Sequence, residues 1–160
     1  MLHPLTLPPQ QELKARLHYD PETGELRTLS NYWRPTKPKR GYRAVAIAGK
    51  RYKAHRVIWK WMTGEEPVGD IDHVNGDKTD NRWANLRLAT RSQNMANLPA
   101  RKSRLLPKGV SLCKQTGRYQ AQITIQGKSK KIGRFDTVED AAAAYASAAR
   151  EFFGEFARTA

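Results

Sequence analysis

The side chains best suited to chemistry lie in IDHVNGDKTDNRWANLRLATRSQNMAN, residues 71–97. Cleaving a phosphodiester needs an activated water, neutralisation of the phosphate and stabilisation of the departing 3′ oxygen. The imidazole of His73 suits the first task, because histidine is the side chain most often used as a general base. A hard divalent cation on oxygen ligands suits the other two. Asp72 and Asn94 supply such oxygens if the strands fold back and bring the next helix beside them. Neighbouring side chains on a strand point to opposite faces, so Asp72 and His73 can serve cation and water separately. Asn75, Asp77, Asp80 and Asn81 read as turn residues that shape the loop, with Asp77 or Asn81 as helpers near a metal. Each residue also has a bland reading: His73 as a loop brace, Asn94 as ordinary helix surface. Taken as a set, the pattern favours catalysis. His55, at the start of an apolar helix, reads as structural or phosphate-facing, and His3 and His18 carry no signal.

These groups need elements to hold them. Residues 19–28 read as two strands around a turn at 21–24, followed by a Pro- and Lys-rich loop at 31–40. Residues 42–48 and 51–54 alternate around Gly49-Lys50, a hairpin signal. His55, Ile58, Trp59 and Met62 then fall at helical spacing, and Gly64 stops the helix. Residues 86–90 predict a strand and 91–97 a helix, with Ser92 as its candidate cap. Residues 99–107 (PARKSRLLP) read as a basic linker.

Charge sharpens this picture. The 160 residues carry a net charge of +14, which favours polyanionic partners. Residues 26–64 hold eleven basic residues and no acid, and residues 99–134 hold ten more and no acid. Between them, residues 65–80 hold six carboxylates and one lysine, an arrangement that repels phosphate unless a cation intervenes. The 39% apolar content and four Trp argue for folded structure. The single Cys113 excludes an intramolecular disulfide and fits a reducing compartment. No apolar run approaches a membrane span and the start lacks a secretory pattern, so the expectation is a cytoplasmic protein without a signal peptide.

The string DHxNGDKxDNRxxNLRxxTxSxNxxN resembles the H-N-H homing endonucleases of phages and introns, over roughly residues 50–98. The YDPETG start and the AHR before the helix resemble the leading part of such enzymes. The resemblance implies a ββα-metal (His-Me finger) nuclease. In it His73 is the general base, Asp72 and Asn94 bind one divalent ion (Mg²⁺ or Mn²⁺), and Asn85 braces the loop and orients the His.

Residues 108–157 read as three strands (108–113, 118–126 and 128–135) and a helix capped by Thr137 and stopped by Gly154. Ala141, Tyr145, Ala148, Ala149 and Phe152 form its apolar stripe. GV, Tyr119, AQI, IGRFDT, EDAAAAYASAA and GEFA resemble the plant Apetala-two/ethylene-response-factor DNA-binding domain. That family sets its sheet in the major groove. Here Tyr119, Ala121, Ile123 and Ile125 share one face, and Arg118, Gln120, Gln122 and Thr124 the other, suited to base edges and phosphates. Lys128, Lys130, Lys131 and Arg134 extend the basic surface. Ser111 and Cys113 replace the Arg pair typical of the plant domains, so the plant target sequence does not transfer.

The expected protein is α+β: an H-N-H nuclease at 1–98 with N-terminal hairpins, a basic linker at 99–107, and a DNA reader at 108–160. Its expected function is site-specific, metal-dependent cleavage of double-stranded DNA to 5′-phosphate and 3′-OH, with nicking favoured by one active site per chain. The resemblance leans to a monomer, and neither a membrane nor a small-molecule substrate is expected. Arg43, Lys53 and Arg56 would contact DNA beside the cleft, and Arg101, Lys102 and Arg104 would track a backbone or groove. The alternative is a catalytically silent DNA-binding regulator. An RNA-binding protein, which the charge alone allows, lacks the expected aromatic-rich sheet motifs.

Overall fold

The structure is a computed structural model that describes residues 6–29, 41–100 and 105–158. It divides into two compact units, residues 1–88 and 89–160, each with its own core. No helix among the described residues is long and apolar enough to cross a membrane.

The first unit opens with a helix that the sequence reading leaves out, α1 (Gln10–Arg16). Leu13 is its one buried residue, so no apolar period announces it, while an i,i+4 Glu12–Arg16 ion pair supports it. Strands β1 (Leu17–Asp20) and β2 (Glu25–Thr28) then form the expected hairpin. The second hairpin, β3 (Ala44–Ile47) and β4 (Lys50–Lys53), turns one residue earlier than the sequence suggests. Ala48 and Gly49, not Gly49 and Lys50, take the two positive-φ positions (48° and 76°). That register sets Val45 opposite Tyr52, both buried, which a turn at 49–50 would have separated. Helix α2 (Ala54–Thr63) follows and ends on Gly64 at φ 81°. Strand β5 (Asp70–His73) pairs with β6 (Leu86–Ala89), and the loop between them closes through a 3₁₀ turn at Trp83–Asn85. Leu13, Leu17, Val57 and Ile58, essentially without solvent contact, centre this unit's core.

The second unit begins at the end of β6 and includes α3 (Arg91–Asn97). Its cap is Thr90, in a reciprocal capping box with Gln93; Ser92 instead accepts a hydrogen bond from the Gln126 amide at 3.1 Å. Strands β7 (Val110–Leu112), β8 (Tyr119–Ile125) and β9 (Lys128–Phe135) form an antiparallel sheet, and α4 (Val138–Phe153) packs on it. Phe153, not Phe152, completes the buried stripe of Ala141, Tyr145 and Ala149. Lys108 Nζ donates to the carbonyls of Ala96 and Leu98 at the end of α3, so α3 is tied into this unit's packing.

A register shift in β9 decides which basic residues line the open face. Gln120 lies opposite Arg134 and Gln122 opposite Lys131, with one extra residue between those partners. Arg134 and Lys131 therefore share the polar face of Gln120, Gln122 and Thr124. Lys130 lies opposite the buried Ile123 and turns to the helix side, its Nζ 4.8 Å from the Phe152 ring centre.

Candidate active site

His73 ends β5 and is 3% exposed; Asp72, beside it, is 5% exposed. Nε2 of His73 lies 3.1 Å from Oδ1 of Asn81, a buried contact spanning eight residues. An amide oxygen only accepts, so Nε2 is the donor of this contact. Asn81 is itself fixed from outside the loop, since its carbonyl accepts the Tyr19 hydroxyl at 2.8 Å.

Asn85 ties the two ends of the loop together. Its Oδ1 accepts the Asn75 amide at 2.9 Å, and its Nδ2 donates to Asn75 Oδ1 at 3.0 Å and to the Asp80 carbonyl at 2.8 Å. Its own carbonyl accepts from Val74 at 2.9 Å. These are local bonds that hold residues 74–85 as one shaped piece beneath His73.

Most of the acidic stretch is consumed by structure. Asp77 Oδ1 accepts from the Thr79 amide and hydroxyl, both at 2.8 Å, which holds its carboxyl below the usual range. Arg82 grips Asp80 at 2.6 and 2.8 Å and pushes its carboxyl lower still. Lys60 pairs with Glu66 at 2.9 Å, and Arg87 reaches Asp72 Oδ2 at 3.0 Å. The clustered carboxylates are thus loop and ion-pair residues for the most part. Asp70 and Asp72 both lie on β5, and Asp72 is the one next to His73.

His55 belongs to the site's packing. It is 3% exposed and meets His73 edge-on, ring centres 5.2 Å apart. Tyr42 closes the cluster at 5.0 Å from His55 and 6.2 Å from His73. Burial first, then the charges of His73, Lys53 and Arg56, lowers the His55 pKa to about 3. Its Nδ1 finds no hydrogen-bond partner among the described residues. Tyr42 carries no motif in sequence; Tyr19 opens the YDPETG stretch, and Asn81 reads as a loop-shaping residue or a helper near a metal.

Asn94 lies half-buried on α3, in the second compact unit, whereas Asp72, His73 and Asn85 lie in the first. Of the residues expected on DNA, Arg43 and Lys53 are exposed on the second hairpin. Arg56 spends its guanidinium on the Gly69 and Pro67 carbonyls at 2.9 and 3.0 Å, bracing the chain after α2. Arg118 pairs with Asp136 at 2.7 Å in solvent. Gln122, Thr124, Lys131 and Arg134 are exposed and Gln120 half-buried. Arg101, Lys102 and Arg104, like the loop at 31–40, lie outside the described residues.

The sequence profile of the HNH endonucleases matches residues 52–96, from β4 into α3, and so takes in Asp72, His73, Asn81, Asn85 and Asn94. Over 112 residues the chain is 34% identical to Protein 3.8 of Escherichia phage T7, a match covering 67% of this chain and 92% of the phage protein. The chain belongs to the family of that phage protein, and residues 52–96 are an HNH endonuclease domain. An uncharacterized HNH endonuclease of Acanthamoeba polyphaga mimivirus is 35% identical over 121 residues. That match covers 74% of this chain but 62% of the viral protein, so the chain spans less than two thirds of this relative. The HNH domain holds both the His73–Asn81 contact and the Asn85 brace.

Proposed function

We propose that the chain is a site-specific, divalent-metal-dependent DNA endonuclease of the homing type that nicks duplex DNA as a monomer. The observation that carries this reading is the buried His73 beside Asp72, its Nε2 held by Asn81, within the HNH domain. Nδ1 of His73 takes a proton from a water. The water oxygen bonds to phosphorus as the P–O3′ bond breaks. The 3′ oxygen leaves with that electron pair and takes a proton from solvent, so the products are a 5′-phosphate and a 3′-OH.

Among the described residues, no three His, Cys, Asp or Glu side chains gather as a metal-holding group. The donor chemistry at Asp72 still fits a hard cation. Mg²⁺ keeps several waters and is bound through one or two carboxylates together with substrate phosphate oxygens. Asp72 and Asn94 would hold one Mg²⁺ or Mn²⁺ in this way. When bound, the ion neutralises the phosphate and stabilises the departing oxygen. Arg87 offsets the Asp72 charge in the meantime. The face of Gln120, Gln122, Thr124, Lys131 and Arg134 is proposed to read the duplex, as in the Apetala-two-like domains it resembles.

Supercoiled plasmid incubated with Mg²⁺, Mn²⁺ or EDTA tests the proposal. Nicked product is expected with metal and not with EDTA, and His73→Ala should slow it by about 10²- to 10⁴-fold. Cleavage that survives both the substitution and EDTA would remove this mechanism. The Arg87–Asp72 pair, which occupies the proposed ligand, favours a second reading as a silent DNA-binding regulator. Tight duplex binding without any nicking would establish that one.

A further inference from the structure

Two lysine ammonium groups converge on one ring beside His73. Lys53 Nζ lies 4.9 Å and Lys78 Nζ 4.8 Å from the centre of the Tyr42 ring, and that ring packs against both His55 and His73. The two lysines come from distant places, the end of β4 and the middle of the loop 74–85. The two like charges repel, while the π-face of the one phenol attracts each of them. Neither lysine has an ion-pair partner among the described residues. The nearby loop acids are already engaged, Asp77 by Thr79 and Asp80 by Arg82.

A further positive contribution comes from α2. Its first turn contains no acid and its N-cap, Lys53, makes no side-chain cap, so the positive end of the helix dipole is not offset there. The stem of Lys78 passes beside Gly41, where a built Cβ would stand 3.4 Å from its Cδ. The result is a positive patch beside His73 whose two lysines have no ion-pair partner among the described residues.

We propose that Lys53 and Lys78, gathered on Tyr42, bind the phosphate that flanks the scissile one in the cut strand. This rests on the nuclease reading, because it takes His73 to mark the scissile position. Tyr42 then has two functions: it packs the base and it sets the spacing of the two ammonium groups. The pair fixes the register of the strand, which decides which phosphodiester meets His73.

The test uses the full chain and a mixed-sequence DNA duplex in EDTA, where nothing is cut, with affinity followed against salt concentration. Each phosphate contact removed lowers the slope of log affinity against log salt by about 0.9. Lys53→Gln and Lys78→Gln should each lower it, and the double variant by about 0.9 in total, because the two lysines share one phosphate. Lys14→Gln, which removes a cation from the Trp61 ring instead, should leave the slope unchanged. A folded double variant with the wild-type slope would overturn the assignment. So would an equal fall in slope for Lys14→Gln, which would reduce the effect to bulk charge. With Mg²⁺ added, the double variant should also cut at displaced positions. If the wild type proves not to cut while the slopes fall as expected, the phosphate site stands and the nuclease reading fails.

Discussion

Asn81 Oδ1 lies 3.1 Å from His73 Nε2, and this one contact links the reactive imidazole to the first hairpin of the chain. The link continues through the Asn81 carbonyl to the Tyr19 hydroxyl at 2.8 Å. A second clamp lies beside it, where the Trp83 amide donates to the Pro21 carbonyl at 3.0 Å. The hairpin of β1 and β2 is therefore part of the site's support, although none of its residues carries an active-site motif.

Asn81→Ala should lower the nicking rate by about 10- to 100-fold, the size of effect seen when a partner that orients a reactive side chain is lost. KM for DNA should stay near wild type, because Asn81 is buried and orients the base rather than touching phosphate. Steady-state kinetics on a nicked-plasmid assay separate the two. An unchanged kcat would mean that His73 is held by something else.

Gly24→Ala probes the same support from the other side. Gly24 sits at φ 73°, and a Cβ there would fall 2.4 Å from the Arg82 nitrogen and 2.6 Å from the Asn81 carbonyl carbon. Both are backbone atoms, so the hairpin or the loop must shift. The expected result is a fall in Tm of about 5 °C or more, with a matching loss of nicking. Thermal unfolding at constant pH reads it directly, and a Tm equal to wild type would place the hairpin outside the site's support.

Asn85→Ala removes three hydrogen bonds at once and leaves the Asn75 amide and the Asp80 carbonyl short of partners. A loss of about 1–3 kcal/mol of stability is expected from such orphaned groups, centred on residues 74–85. Hydrogen exchange at those amides should accelerate more than exchange in α4. Uniform acceleration would argue against a local brace.

The buried His55 sets an acid limit. Its folded pKa, about 3, is below the ordinary 6.5, so between these values the unfolded state binds more protons than the folded one. The stability it permits is therefore complete above pH 6.5 and is lost as pH falls towards 3, by about 1 kcal/mol per unit. Asp20, Glu25, Asp77 and Asp80, whose carboxyls are lowered in the fold, begin to cost stability only as pH nears their ordinary values of 3.8 to 4.5, which leaves pH 6.5 to about 5 to the imidazole. Denaturant unfolding across that window should show a steeper decline for wild type than for His55→Phe. Parallel curves would contradict the assignment.

Lys131 and Lys130 are neighbours on opposite faces of β9, so they should behave differently on DNA. Lys131→Gln is expected to lower the salt slope of binding by about 0.9, while Lys130→Gln loses only its contact with Phe152. Filter-binding titrations at several salt concentrations distinguish them. Equal effects would show that the polar face is not where DNA lies.

Much of this protein is local, and local features are legible in sequence. The proposed site residues Asp72, His73, Asn85 and Asn94 are legible because the HNH-like string that they belong to lies within one short stretch of chain. Gly64, Thr137 and Gly154 end or begin helices through their own backbone preferences, and Gln126-Gly127 forms its turn for the same reason. Other features are decided by partners far away in sequence. The helix α1 depends on burying Leu13 alone, and the hairpin at Ala48-Gly49 takes the register that buries Val45 with Tyr52. The bulge in β9 follows from pairing with β8, and it moves Lys130 away from the face that simple alternation suggests. The acidic stretch read in sequence as turn residues with a hint of a cation; packing engages Asp77 with Thr79, Asp80 with Arg82 and Glu66 with Lys60. Asn81 reads as a turn residue until Tyr19 and Gly24 fix its place beside His73. The sequence by itself determined the HNH-like string and the order of its residues along the chain. Only the tertiary structure decided which nitrogen of His73 bears the proton, since that depends on an amide placed there by residues about sixty positions away.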